Sequence, residues 1–409
     1  MTIDAPLDAA VIGAGPAGLM AAEMIADAGL SVAVFEAMPS PARKFLMAGK
    51  SGLNITHVVT PAELAAIYPD APASLSQAVE AFGPDEIMAW MEQLDIQPVT
   101  GPTGRVFPRE MKASPLLRAW LSRLTDVGAR LHTRHRWTGW NQDGALTFDT
   151  PDGPRHVSSR TQVFALGGGS WSRLGSDGAW RAAFQAAGIS VSPFRPSNCG
   201  LRVNWSDRMK AEFAGVPVKN VAVSFGEQAS REEFVVTERG VESGAVFSLS
   251  LSVRDALEAA GQAVLYLDLL PDLSEDEIVR RLSKPRGKRS LSNHLRKTLN
   301  LSGVKRALLF EFGGLEAADS PDQMARLVKN LPVPVAGLFP MDEAISTDGG
   351  ISFDALDDHF MLKDRPGQFC AGEMLDWDAP TGGYLLTACL ATGRAAGLGA
   401  VRWLKTEPV

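Results

Sequence analysis

Three glycines spaced Gly13-x-Gly15-x-x-Gly18 close a short apolar run, and Glu36 stands 18 residues after the last of them, at the end of Ser31-Val-Ala-Val-Phe35. This spacing suits the phosphates and ribose of a dinucleotide. Gly13 permits a sharp turn out of a strand, Gly15 lets the backbone approach a pyrophosphate, and Gly18 lets the following helix pack close to the sheet. Pro16 and Ala17 fall in the first turn of that helix, whose positive end would carry the phosphates. Glu36, followed by Ala37, can accept from both hydroxyls of an adenosine ribose and would repel a 2′-phosphate.

FAD and NAD share that adenosine end, so the first turn alone does not choose between them. Two later segments bear on it. Gln162-Val-Phe-Ala165-Leu166-Gly167-Gly168-Gly169-Ser170 is an apolar run opening into glycines. Gly367-Gln-Phe-Cys-Ala371-Gly372-Glu373-Met-Leu-Asp376 is another, and Gly382-Gly383-Tyr384 follows it at the start of an expected helix through Gly399. An acid in the last segment could bond a ribityl chain, and the helix would aim its amino end at a flavin pyrimidine ring. Each segment alone reads equally well as a plain strand, turn and helix; their order along the chain favours FAD.

Together with Arg43-Lys44-Phe-Leu-Met-Ala48-Gly49-Lys50-Ser51-Gly52-Leu53-Asn54-Ile-Thr56, Gly104-Arg105-Val-Phe107-Pro108 and Thr347-Asp-Gly349-Gly350, these motifs resemble the BaiN-like, aminoacetone-oxidase-type family of bacterial NAD(P)/FAD-dependent oxidoreductases over nearly the whole chain. The resemblance implies an α/β fold: a Rossmann-like FAD-binding domain of the glutathione-reductase type, with inserted domains. It implies that Arg43, Lys44, Ala48, Gly49, Lys50, Ser51 and Asn54 run beside FAD, and that Trp137 lies where the backbone touches adenine. Ala165, Leu166, Gly167 and Gly168 would re-enter the flavin domain. Gly372, Glu373 and Asp376 would meet pyrophosphate and ribityl, and Gly382, Gly383, Tyr384 and Leu385 the isoalloxazine edge. Where the family usually has Gly-Arg-Cys-Asn before its Thr, this chain has Gly52-Leu53-Asn54. It therefore resembles a divergent branch, and no substrate role of that Arg or Cys carries over.

Flavin N5 exchanges hydride, which leaves the protein to orient the substrate and tune charge. Polar residues on the cofactor loops are the candidates: Lys50, Asn54, Arg105, Thr347 and Tyr384. Arg105 could equally pack on the surface beside Phe107, and Tyr384 could donate a proton or only pack on the ring. Gly167 to Ser172 is an incomplete second fingerprint, so NAD(P)H would bind transiently as donor, or oxygen would be the partner of reduced flavin. The expected function is hydride transfer between flavin and a small organic substrate. An amine or amino-acid oxidase making hydrogen peroxide and a flavin-bearing RNA-associated protein are the alternatives.

Behind these residues stand 409 positions, 45% apolar and 21% charged, which suits a folded chain of two to three domains. A net charge of −7 offers no global attraction for nucleic acid or anionic lipid. Asp4 in the first residues, and Glu23 and Asp27 in the apolar stretch that follows, read against a signal peptide or a membrane span. Cys199, Cys370 and Cys389 are far apart, with no CxxC and no histidine spacing for a metal; no metal site, no disulfide and a cytoplasmic location are expected.

The expected organisation is a FAD-binding domain over residues 1–194, an inserted β-rich domain over 195–272 in the form of a small β-barrel or antiparallel sheet, a small helical domain over 273–334, and the return of the first domain over 335–409. Strand-like alternation runs through the insert, including Ala245-Val-Phe-Ser-Leu-Ser250. Ser274-Glu-Asp-Glu277 reads as a capping box opening the helical piece. Residues 284–306 hold Lys284, Arg286, Lys288, Arg289, Arg296, Lys297, Lys305 and Arg306 and no acid. The patch suits an anionic substrate, a nicotinamide phosphate or RNA, and equally a solvated helix face.

Overall fold

The computed structural model describes residues 7–50, 52–60, 63–64, 67–68, 72–313 and 320–406. It divides into two compact units, 1–195 with 346–409 and 196–345. The first is built on five parallel strands: β1 (Leu7–Ile12), β2 (Val32–Glu36), β3 (Arg130–Thr133), β4 (Ser159–Phe164) and β5 (Gln368–Cys370). Their order across the sheet is β5-β4-β1-β2-β3. The chain winds first to one side of β1 and then to the other, so the switch point of the sheet lies at the carboxyl ends of β1 and β4. Central strands read as continuous apolar runs because both faces are covered: Ala9 to Ile12 and Val32 to Phe35 are all buried.

Two helices cover one another on this sheet, α1 (Pro16–Asp27) and α2 (Tyr384–Thr406). By length and composition α2 could cross a membrane, but 67% of its most apolar window is buried in the protein, as suits a core helix. Small residues let the two backbones touch. A Cβ on Gly393 would stand 2.3 Å from the Ala17 carbonyl oxygen, and one on Gly397 2.8 Å from that of Ala21. Glu23 is buried on α1, where burial pushes its carboxyl up; the Arg123 ion pair and the Trp120 and Trp90 indole N–H groups, at 2.6 and 3.3 Å, oppose that shift.

The second unit holds a five-stranded and a four-stranded sheet, both antiparallel at every registered pair, so of the two expected forms it takes the antiparallel sheet and not the barrel. The expected strand at Ala245–Ser250 is the reason. Those residues open a helix, Gly244–Ala260, that packs against strands of both sheets. Phe247-Ser-Leu-Ser-Leu-Ser-Val253 alternates like a strand, yet the buried set is Ala245, Val246, Leu249, Ser250, Val253 and Arg254, a helical stripe. Ser250 tolerates burial by donating to the Phe247 carbonyl at 2.8 Å.

Nor is the helical piece a domain of its own. Ile278, Leu295, Leu308 and Val328 from its helices share one core with Val223, Leu265 and Val333 from the sheets. The return to the first unit falls at Ser346 and not at 335, because Leu331–Val335 pairs residue by residue with Ala263–Asp268 and Gly337–Leu338 pairs with Leu201–Arg202. Pro332 and Pro334 are tolerated there because Leu331–Val335 is an edge strand. Ser274 does cap its helix, its hydroxyl accepting from the Glu277 amide at 3.2 Å.

The α1–α2 crossing sets the height of the helix that follows Gly15. Gly393→Val should therefore cost about 3 kcal/mol through overpacking against backbone, read as a lower denaturation midpoint together with loss of bound FAD. A midpoint within about 0.5 kcal/mol of wild type, the range of a bland surface change, would contradict the crossing.

Candidate functional site

Parallel register places Ile12 beside Phe35 and Phe164, and Phe164 beside Cys370. The four strands therefore deliver their following loops to one edge. Gly13 turns there with φ 101°, where an added Cβ would lie 2.2 Å from the Ala165 carbonyl oxygen. Gly18 packs beneath the turn, its would-be Cβ 1.9 Å from the Gly13 oxygen, whereas a Cβ on Gly15 would meet nothing within 4 Å. Gly15 caps the first turn of α1, whose amides have no intrahelical partner. Pro16 at the first helical position lacks only a donor that is unbonded there anyway.

A cleft of about 820 Å³, counting the solvent at its open mouth, lies at this edge. Gly13, Gly15, Pro16 and Ala17 line it, with Glu36 and Ala37 from the end of β2, and Arg43 and Lys44 from the next loop. Trp137, Ala165, Leu166 and Gly167 join from the middle of the chain, and Gly372 and Glu373 from the return segment. Sequence reasoning missed Phe35, His135, Leu174, Gly175, Ser176 and Cys389, which also line it. No motif announces them.

Glu36 accepts from the Ala14 amide at 2.9 Å through one carboxylate oxygen and from Met38 at 2.8 Å through the other. Burial pushes its carboxyl above the ordinary range, opposed by the Met38 and Ala14 amides and by Arg136. Each oxygen keeps a lone pair for a ribose hydroxyl. Three further polar atoms on the cleft wall are buried without a partner among the described residues: Arg43 Nε, Trp137 Nε1 and Ser176 Oγ. Buried donors left unbonded are costly and rare. An acceptor-rich phosphate, ribose or adenine would satisfy all three, so the residues present fit FAD.

Lys44 is held in a network that joins four distant segments. Its Nζ donates to Glu373 Oε2 and Oε1 at 2.7 and 2.8 Å and to Ser170 Oγ at 2.7 Å. The Thr347 amide donates to Glu373 Oε1 at 3.1 Å, and Gly169 N to Thr347 Oγ1 at 2.9 Å. Gly168 packs on the Thr347 side chain. Thr347 is thus 1% exposed and bonded inside the wall, which makes it a positioning residue and not one that could meet substrate.

Some expected cofactor residues do not line the cleft. Asp376 accepts from Ser192 Oγ at 2.5 Å, and burial pushes its carboxyl up against the pull of that bond. Gly49 packs on Ala113, and Gly49 and Lys50 line a separate hollow with Lys112, whose Nζ donates to the Lys50 carbonyl at 2.9 Å. Ala48 ends the short helix Arg43–Ala48 before that hollow. Ser51 lies outside the described residues.

A second cluster gathers at the amino end of α2. Gly382, Gly383 and Tyr384 meet the short strand Thr56–His57, and Leu385 follows in the first turn of α2; a Cβ on Gly383 would stand 2.8 Å from the Thr56 Cα. Thr56 and Thr387 hydroxyls lie 2.9 Å apart. His57 pairs in antiparallel register with Arg105 and stacks on Tyr384, ring centroids 5.2 Å apart and planes within 12°. Tyr68 donates to the Tyr384 carbonyl at 2.7 Å. Burial raises the Tyr384 hydroxyl pKa, the Arg105 charge lowers it and Glu63 raises it. His57 Nδ1 and Asn54 Oδ1 are buried without partners among the described residues. His57 was missed because a lone histidine has no spacing to read; only the strand pairing brings it to Arg105 and Tyr384.

The cysteines are free and buried, and burial pushes the Cys389 thiol up to about 12, so it stays protonated beside the cleft. Among the described residues no group of three or more His, Cys, Asp or Glu could hold a metal.

Comparison with known proteins bears on the family and the fold. The family model described as the HI0933-like protein Rossmann domain matches residues 7–399. The chain is similar to a 3-dehydro-bile acid delta(4,6)-reductase of Clostridium scindens, 24% identical over 95% of this chain and 97% of that protein. It is also similar to a ribosomal RNA dihydrouridine synthase of Escherichia coli, 25% identical over 92% and 94%. Among solved structures, the open conformation of a flavocytochrome c3 fumarate reductase superposes with a TM-score of 0.55 at 16% identity, covering 98% of this chain and 79% of that one, a likeness of fold.

The Glu36 geometry has a pH consequence. Its folded-state pKa is raised, so the carboxylate that would hold a ribose exists only above that raised value. FAD affinity should fall as pH drops through a point above the usual carboxylate range. Glu36→Gln should weaken binding about 10- to 100-fold, the worth of charged hydrogen bonds, and flatten the profile. Equilibrium dialysis of FAD across pH reads both, and an unchanged profile in the variant would refute the assignment.

Proposed function

The chain belongs to the HI0933-like Rossmann-domain family and is an FAD-dependent oxidoreductase, and from that premise we propose that it reduces a carbon–carbon double bond conjugated to a carbonyl, with NAD(P)H as electron donor. When bound, FAD supplies the hydride at N5. The names of the two relatives support the choice of bond. A delta(4,6)-reductase of a 3-oxo steroid and a dihydrouridine synthase both describe hydrogenation of such a double bond, one in a fused ring system and one in a pyrimidine ring of RNA.

The observation that carries the proposal is the meeting of Arg105, Tyr384 and His57. Tyr384 lies five residues before Cys389 on α2, about 7.5 Å along the helix at 1.5 Å per residue, and Cys389 lines the cofactor cleft. Conjugate reduction adds a hydride to the β carbon and a proton to the α carbon, while negative charge gathers on the carbonyl oxygen. Arg105 would hold that oxygen, since a fixed cation stabilises charge that develops there. Tyr384 would give the proton, kept neutral by burial. His57, stacked on the phenol, fixes its orientation.

Anaerobic NADPH or NADH should bleach the flavin band near about 450 nm, and a 3-oxo-Δ4 steroid or a uridine-containing RNA should restore it. Tyr384→Phe should lower kcat for double-bond reduction by about 10²- to 10⁴-fold, the usual worth of a positioned acid, while bleaching by the nicotinamide is unchanged. Bleaching by amines, with peroxide formed in air, would overturn the proposal in favour of an oxidase, and an active Tyr384→Phe would overturn the assignment of the acid.

A further inference from the structure

The basic run 284–306 is not used by the chemistry above. Residues 283–290 join the helices Glu275–Leu282 and Leu291–Leu299 of the second unit, and every one of them is exposed. Lys284, Arg286, Lys288 and Arg289 lie on this connection, and Arg296 and Lys297 are exposed in the last turn of the second helix. None of the six makes an ion pair among the described residues. Neighbouring cations do: Arg280 and Arg281 both hold Glu277, at 2.5 and 2.6 Å, and Lys329 holds Asp268 at 2.5 Å. Lys305 is also engaged, its Nζ donating to the Leu269 carbonyl at 2.8 Å. Charge pairing is thus the habit of this unit, and the hairpin departs from it.

The platform beneath these charges is well held. Ser290 caps the second helix, accepting from the Asn293 amide at 3.3 Å. Leu295 and Leu299 anchor it in the core, and the buried His294 ring nitrogen Nε2 lies 3.2 Å from the Leu282 carbonyl, tying the end of one helix to the side of the next. Six like charges on a firmly seated hairpin repel one another, and an extended polyanion offers the compensation that a single small anion cannot spread over both the loop and a helix about 13 Å long.

We propose that this hairpin is the docking surface for a folded RNA. The proposal rests on the reductase reading in one respect: it names RNA as what carries the conjugated double bond. No large apolar side chain is exposed within 283–306, so the patch lacks the wedge that seats an amphipathic segment in lipid. No aromatic residue interleaves the charges to stack on bases. Contact therefore falls on phosphates, which positions a folded RNA without reading its sequence.

The test uses the FAD-loaded full chain and a ribosomal RNA hairpin transcript, with binding followed by fluorescence anisotropy across a salt series. Wild type should bind with an affinity that falls steeply with salt. A variant carrying Lys288→Ala, Arg289→Ala, Arg296→Ala and Lys297→Ala should bind on the order of 100-fold more weakly at low salt, with a log–log salt slope shallower by about three to four, as the loss of four phosphate contacts requires. Flavin bleaching by NADPH should be unchanged in it. Equal binding by variant and wild type would overturn the surface; so would wild type that ignores the transcript, or that binds vesicles of anionic lipid in its place. The two readings fail separately. RNA retention lost in the variant, with no uridine reduced by wild type, keeps the surface and removes RNA as the carrier; steroid reduction without RNA retention removes the surface and keeps the reductase reading.

Discussion

Parallel hydrogen bonding between β1 and its neighbours is the constraint on which the site depends. A parallel ladder forces connections to cross over the sheet and brings all carboxyl ends to one edge. Ile12, Phe35, Phe164 and Cys370 share that edge by register, so the loops after them must meet, although they come from chain positions hundreds of residues apart. A slip of one residue in β1 would carry Gly13 away from the Ala165 carbonyl that it all but touches.

Convergence by itself would leave mobile loops, and the Lys44–Glu373 pair makes them a wall. Glu373 is 8% exposed, and its charge is answered by Lys44 and by the Thr347 amide. Breaking a buried pair by removing one partner strands the other without water, which costs several kcal/mol. The network therefore joins the first loop, the middle glycines, the strand at Thr347 and the return segment. A different device acts at the amino end of α2, where the absence of a Cβ on Gly383 lets the helix start against Thr56 and sets Tyr384 on His57.

The second unit shows how pattern and packing part company. Its short strands were mostly readable because Val, Phe and Leu alternate between glycines. Helix Gly244–Ala260 was not, since serines at every second position imitate a half-buried strand. What decided it was the space between two sheets, which a helix of small and branched side chains fills and a strand does not.

The sequence alone determined the dinucleotide turn, the acid that closes β2, the order of the glycine segments and the family, because each of these is local: a tight turn or a helix start needs particular residues at fixed offsets. Pairings between distant segments were left open. Nothing near Lys44 marks Glu373 as its partner, nothing near His57 marks Arg105 or Tyr384, and Ser176 declares itself only as a hydroxyl left unbonded in the cleft. Only the tertiary structure decided these, for a physical reason: a side chain's partner is set by strand register and helix crossing, and those minimise the free energy of the whole core and not of any stretch of chain.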